Sequence, residues 1–576
     1  MTATEAAAAQ PAKPRLWERP IAGLLVVLVA AALYAPTIAL RRVDYDDYWL
    51  WNDASPLREL SASTLRDVFF ELDGTARRPL GHEYLPVRDV SVAIDMAIWG
   101  DNEHGPHATQ LALFVLCVFA LGRLLVRWGV PPAVAWLGTL IWAAHPIHVE
   151  SVAWLSERKG VLALLMSLVL GHAWHRFRDR DRGAWRWLAI AAIAAIAATW
   201  SKAPAMFGVG VFAAWDLLLL RASPRRWIAI AVVGAATAAA AVPVIAIANQ
   251  ARVIGVDDDG GVRDARVVMA TGVAGHYVES LALAKRPSIS YAIQMTGSSP
   301  ADLAAGAASL AGSLAVVVWW WRRRRGDPRV RVAVAMLAWA WVWFVPISQL
   351  VVPVHVVVAD RFALAWSLSG CVGVAAAILL LRAPLRTVVV AAVVAGLGVA
   401  TIRAENAWTR TSALFENALD EFPGDALRRD SLAGVYYDAG DPDAAFAELA
   451  RGLAIDPDEP RLLETRARYE EARHDMVDAL VDAERAAASD KATALDLYAR
   501  LLVRTRRPDA AIPFAERAVA RHPEIGTYQR TYGVALLTVG RARDAVAPIL
   551  AALVLDPEPD DRGLVDGLAR ALAAGT

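Results

Sequence analysis

Through residue 403 the chain alternates long apolar runs with short polar gaps. The runs lie near 21–40, 108–126, 131–147, 160–175, 187–200, 203–220, 227–248, 302–321, 332–350, 362–381 and 387–403. Each approaches the length a helix needs to cross a bilayer, so the pattern predicts eleven transmembrane helices within a membrane domain over 1–404. The stretch "VVMATGVAGHYVESLALA" within 250–300 is weaker. It reads either as a twelfth span or as a helix lying at the surface.

From residue 405 the apolar positions become amphipathic and Ala-rich, set among charges. Pro423, Pro457, Pro523 and Pro557 stand 34, 66 and 34 residues apart, a period near 34 with one member lacking its proline. The segment "GDPDAAFAELARGLAIDPDEP" has the turn, small-residue helix and Asp-Pro exit of a tetratricopeptide unit. Residues 405–576 are therefore predicted as an entry helix, about four repeats and a closing helix "GLVDGLARALAAG". Such arrays bury a continuous core by stacking, and their concave face commonly holds peptides. The predicted class is all-α, a polytopic membrane domain followed by a tetratricopeptide-repeat solenoid.

Composition narrows the class further. The chain is 56% hydrophobic with mean hydropathy +0.36. Its 59 Lys and Arg balance 59 Asp and Glu, which argues against a nucleic-acid partner. Cys117 and Cys371 both fall in apolar runs and form no disulfide framework. Charge is segregated along the chain. Lys13, Arg15 and Arg19, then Arg123 and Arg127, "HRFRDRDRGAWR", Arg221 with Arg225 and Arg226, "WRRRRGDPRVR", and Arg382 with Arg386 fall in alternate gaps. By the positive-inside rule these gaps are cytoplasmic. Eleven spans then put everything after residue 403 outside the cytoplasm. Long outer loops are expected at 41–107 and 249–301, partly folded because of their length.

The outward gaps hold an unusual share of the polar residues close to apolar runs. These are Asp46 and Asp47; His145, His148, Glu150, Glu157, Arg158 and Lys159; Lys202; and Asp360 with Arg361. Charge at membrane depth is expensive and marks a site or a pairing partner. Their placement on one leaflet side predicts a single outward-facing polar cavity. Arg158, Lys159, Lys202 and Arg361 suit a phosphate at the lipid surface, although each also reads as an anchor snorkelling to headgroups. "HPIHVE" offers two histidines and a glutamate, but Pro146 interrupts the helical spacing and no cysteine stands nearby. Hydrogen bonding is the better expectation than a metal, and no cofactor is expected.

These residues reach a family. "AAHPIHVESVAWLSERKGVLALL" closely resembles a stretch of bacterial tetratricopeptide-repeat membrane proteins related to the transmembrane and tetratricopeptide-repeat protein O-mannosyltransferases. "VDYDDYWLWND", "RRPLGHEYLPVRDVSVAIDMAIWG", "WSKAPAMFGVGVFAAWD", "VADRFALAWSLSG" and "AWTRTSALFENALDEFPGD" resemble further family stretches in the same order. The resemblance implies a GT-C-type glycosyltransferase that uses a polyprenyl-phosphate sugar donor, with mannose the expected sugar. It also implies an active site outside the cytoplasm, in a bacterial inner membrane. Asp46 and Asp47 match the family's acidic pair. A protein or peptide acceptor held by the repeats, and the lipid bilayer, are the expected partners. Three features depart from the pattern: Gly160 replaces a frequent Asp, "FALAWSL" lacks the usual tyrosines and proline, and "SKAP" lacks an acidic residue after Lys202.

The expected chemistry follows from the residue types. A hydroxyl acceptor needs a carboxylate to take its proton as it attacks. Two adjacent carboxylates disfavour each other's ionisation, leaving one as base and the other to orient. Fixed cations stabilise the departing lipid phosphate. Two other classes fit parts of the pattern. A non-enzymatic scaffold would need only the repeat surface, and a transporter of lipid-linked sugars would need polar groups near mid-membrane.

Overall fold

The computed structural model describes residues 21–575 apart from 53–54, 75, 180–181, 220–222, 251–262, 294–296, 324–326, 352–355 and 560. Lys13, Arg15, Arg19, Arg180, Arg221, Arg324 and Arg325 of the predicted cytoplasmic clusters lie outside the described residues. Every regular element among those described is helical. The chain divides into two compact units, Met1–Asn417 and Ala418–Thr576.

In the first unit, each predicted apolar run coincides with a helix. Seven of these, from Ile21–Ala39 to Ala383–Trp408, are long and apolar enough to cross a membrane. An eighth is counted if Asp360–Trp366 and Leu368–Leu379, bent by 59°, form one span. The remaining three, Pro132–Ala144, Ala184–Thr199 and Ala203–Leu219, are shorter. At 1.5 Å per residue, a 13-residue helix covers about 20 Å, less than the ~30 Å of a hydrocarbon core. The shortfall has a local cause. Pro146 ends one helix at His145, and a single-turn Val149–Ala153 follows. Thr199 is followed by a turn at Trp200–Lys202 and a 3-10 segment, Ala203–Gly208. The uncertain stretch within 250–300 forms the helix Arg263–Leu283, which is not among the candidate spans and packs on Pro300–Arg323.

The second unit contains four helix pairs, beginning with Ala426–Asp438 and Pro442–Ile455 and ending with Gly526–Thr538 and Ala542–Leu555, then the closing helix Asp561–Ala573. Its core repeats with the sequence. Ala445, Ala479, Ala511 and Ala545 occupy one position in the second helix of each pair, and all four are buried. A methyl at that position lets neighbouring helices approach closely. The turn within each pair needs a left-handed residue, and Gly440 and Gly540 supply it without strain. His474 and Arg506 adopt the same positive φ at the equivalent positions. Asp490 does so where the expected proline is missing between the second and third pairs. Asp425, Asp441 and Asp475 cap the helices that follow them, each accepting from a backbone N–H.

Candidate functional site

The helix breaks of the first unit build the site. The His145–His148 turn, the Trp154–Glu157 turn, the Lys202 turn and the Asp360–Phe362 turn converge, and the loop segments around Asp46 and Glu83 meet them. Between them lies a cavity of about 430 Å³, whose polar wall includes Asp46, Glu83, Ser156, Lys159, Lys202 and Arg361. Lys202, Pro204, Ile347, Arg361 and Phe362 also border a smaller, mainly apolar slot. Gly160, Ala163, Leu164, Ala205, Trp343, Leu364 and Ala365 line the rest of that slot.

Asp46 and Asp47, adjacent in sequence, face different surroundings. Asp46 precedes the helical turn Asp47–Leu50 and stands on the cavity wall. Asp47 is buried behind it, accepting from Ser156 N at 2.9 Å and Ser156 Oγ at 2.6 Å. Burial pushes its carboxyl up to about 7, against the Ser156 hydrogen bonds and with help from the Asp46 charge. Asp47 thus fixes the Ser156 segment and does not line the cavity.

Arg361 is held from behind. Its backbone N–H donates to Glu150 Oε2 at 2.8 Å and its Nη1 to Glu150 Oε1 at 2.5 Å, while Glu157 Oε2 lies 3.9 Å from its Nε. The guanidinium also lies 5.3 Å from the Trp154 ring centre and 5.1 Å from that of Phe362. Its neighbour Asp360 is pinned by Tyr291 Oη at 2.6 Å and Ser288 N at 3.1 Å. Lys202 pairs with the buried Glu157. Burial draws its ammonium pKa down, and the charges of Lys159 and Arg361 add to that against Glu157. A methyl at Gly160 would come within 2.2 Å of Glu157 Oε1, so a larger residue there would have to displace the glutamate from Lys202. Lys159 Nζ meets both oxygens of Glu83 at 3.0 Å.

Other expected site residues stand off the cavity wall. Arg158, next to Lys159, is fully buried and does not line the cavity. It pairs with Asp95 and donates to Gln110 Oε1 at 3.3 Å and to the Pro106 carbonyl at 2.7 Å. Two residues that begin a helix point about 100° apart, which sends one cation inward and the other to the cavity. His145 accepts from Ile147 N through Nδ1 at 3.2 Å, and its Nε2 lies 3.0 Å from the Leu281 carbonyl. Both nitrogens are engaged, which leaves the ring unsuited to a metal. His148 lies 4.6 Å from the Trp142 ring, with Nε2 3.3 Å from Ser367 Oγ. Among the described residues no group of three or more His, Cys, Asp or Glu could hold a metal ion. Glu150 and Glu157 stand one layer behind the cavity, as supports for its cations.

Sequence reasoning passed over Glu83 and Arg88. Glu83 accepts from Arg88 Nη1 at 2.5 Å as well as from Lys159. Burial alone would raise its carboxyl, but Lys159 and Arg88 outweigh that and hold it at about 2. Arg88 in turn bonds Asp89, and Asp89 the fully buried Arg77 at 3.1 Å. The available signal was "RRPLGHEYLPVRD", three arginines and two acids within an outer loop, without a helical period to give it direction.

The fold and the periodic core define an all-α chain with a tetratricopeptide-repeat region. A tetratricopeptide repeat model matches residues 403–469. No curated protein matches the chain. Among solved structures, the tetratricopeptide-repeat protein YrrB, described with an unusual peptide-binding site, is similar at 16% identity. That match covers 28% of this chain and 93% of YrrB, with a TM-score of 0.24. The apo oligosaccharyltransferase of Archaeoglobus fulgidus is similar at 12% identity over 72% of this chain and 60% of that one, with a TM-score of 0.39. The same organism's AglB, in complex with an inhibitory peptide and a dolichol-phosphate, is similar at 13% identity over 70% and 59%, with a TM-score of 0.38.

Proposed function

We propose that the chain is a membrane glycosyltransferase that moves a sugar, mannose by the sequence resemblance, from a polyprenyl monophosphate to a hydroxyl of a protein acceptor. One observation carries this reading. Asp46 and the cation pair Lys202 and Arg361 line one cavity, and an apolar slot opens beside the cations. A lipid phosphate fits the cations, its first isoprene unit fits the slot, and the sugar is left facing Asp46.

Asp46 accepts the acceptor hydroxyl proton as that oxygen attacks the anomeric carbon from the face opposite the phosphate. The sugar–phosphate C–O bond breaks with inversion, and both bonding electrons leave on the lipid phosphate. Lys202 and Arg361 stabilise that growing charge. Glu150 and Glu157 already neutralise much of the two cations, which suits a singly charged phosphodiester better than a diphosphate. The membrane unit, with a cytoplasmic N-terminus, presents the cavity on the periplasmic side of a bacterial inner membrane, and the repeats present the acceptor.

Purified full-length chain in lipid nanodiscs, given radiolabelled polyprenyl-phosphate mannose and periplasmic extract, tests this directly. Label should pass to protein from the monophosphate donor. No transfer from monophosphate donors bearing any of several sugars, by a folded chain, would overturn the enzyme and leave the scaffold that the repeat match also suits.

A further inference from the structure

A second cavity, of about 450 Å³, lies apart from the proposed transfer site. Arg286, Arg403 and Asn406 give it a cationic and polar rim, and Pro287, Ala400 and Ala404 give it an apolar floor. Ala400, Arg403 and Ala404 share one face of the helix Ala383–Glu405, at spacings of three and four residues. That helix is among the most apolar of the candidate spans and among the least covered by protein. Leu385, Val388, Val399 and Ile402 along it are all exposed. The cavity therefore stands at the end of an uncovered apolar helix, where chains of hydrocarbon would run up to a pair of guanidiniums.

We infer that this cavity binds the phosphate of an anionic glycerophospholipid, with Arg286 and Arg403 on the phosphate and the acyl chains along the exposed face of Ala383–Glu405. Arg suits the ligand because its planar fork meets phosphate oxygens two at a time. Small residues at positions 400 and 404 leave room for the glycerol, where longer side chains would close the floor. Asn406 offers an amide to the ester or glycerol oxygens. The inference rests on the membrane placement proposed above and is independent of the transfer reaction.

The test is native mass spectrometry of the full chain released from nanodiscs that mix phosphatidylglycerol with phosphatidylcholine. The wild type should retain phosphatidylglycerol preferentially, and Arg286→Gln/Arg403→Gln should retain at least tenfold less. Arg382→Gln/Arg386→Gln, at the opposite end of the same helix, should retain it as the wild type does. Equal retention by the first variant, or equal loss in both, would reduce the arginines to general snorkelling and overturn the site. Inorganic phosphate added to detergent-purified protein should fail to displace the lipid at millimolar concentration. Displacement at that level would show an anion site without lipid selectivity, which also overturns the proposal. Circular dichroism of each variant separates loss of ligand from loss of fold.

Discussion

The deepest ion pairs of the first unit and the open pairs of the second serve different ends. In the first, Arg77 meets Asp89 with both side chains fully buried, Arg158 meets Asp95 in the same condition, and Glu157 and Glu150 sit buried beneath Lys202 and Arg361. In the second, Arg468 with Glu464, Arg473 with Asp443 and Arg541 with Asp544 leave each arginine about half exposed. The repeat unit already has a stacked alanine and leucine core, so many of its pairs sit on a surface in contact with water, with Arg429–Glu448 and Arg466–Asp482 set deeper. The first unit instead gathers charge at helix breaks that lie among apolar spans. There each charge depends on its partner, because separating a buried pair strands the survivor. The contrast shows where charge serves architecture or a site and where it serves solubility.

The contrast breaks most visibly at Arg77. Arg77→Ala leaves Asp89 with Arg88 as its one buried cation and its Oδ2 without the Arg77 bond, and should cost about 1.5–3 kcal/mol, the usual loss for a buried hydrogen bond to a charged group. Denaturant unfolding of the purified chain reads this out, and a loss below about 1 kcal/mol would mean that Asp89 is solvated after all.

Asp47 sharpens the comparison through pH. Its folded carboxyl is raised from 3.8 to about 7, so the folded state holds the proton more tightly than the unfolded chain. The resulting stabilisation is full below pH 4 and is lost as pH rises through about 7. Asp47→Asn removes that dependence while keeping an oxygen for Ser156. The variant should gain on the wild type by on the order of a few kcal/mol between pH 4 and pH 8. Thermal unfolding at several pH values should show the wild type losing ground to the variant as pH rises through about 7, and parallel curves would contradict a buried, protonated Asp47.

Lys202 has both a structural and a proposed functional part, and a double variant separates them. Lys202→Ala alone leaves Glu157 buried and charged. Lys202→Ala/Glu157→Gln removes that burden and should recover stability. It should still bind a polyprenyl-phosphate donor more weakly, by about 1.5–3 kcal/mol for the lost charge-assisted contact. Donor titration with unchanged affinity in the double variant would return Lys202 to a purely structural pairing. The smallest effect belongs to the repeats: Arg541→Ala should change stability by no more than about 1 kcal/mol, and a larger loss on unfolding would erase the distinction between the units.

Much of this was legible in the chain. The apolar runs foretold the helices of the first unit, and the spacing of Pro423, Pro457, Pro523 and Pro557 foretold the repeat core. The broken helices were harder to see, because a run records how apolar a segment is and not where its backbone turns. Pro146 marked one break, and Lys202, between the runs 187–200 and 203–220, marked the turn at Trp200–Lys202 together with Pro204. Side-chain direction was the larger gap. Arg158 and Lys159 are neighbours of like charge, as are Asp46 and Asp47, and in each pair only one lines the cavity. Glu83 and Arg88 escaped notice because they reach the cavity through tertiary folding of an outer loop.

The central claim is that Asp46, and not its neighbour, meets the substrate. Single-turnover sugar transfer by Asp46→Asn and Asp47→Asn, each reconstituted in nanodiscs with saturating polyprenyl-phosphate donor, tests it directly. Asn at 46 keeps the size and removes the basicity, so transfer should fall by roughly 10²–10⁴ with donor affinity unchanged, while Asp47→Asn retains most of its rate. Wild-type transfer by Asp46→Asn would contradict the account and make the acidic pair a hydrated helix end.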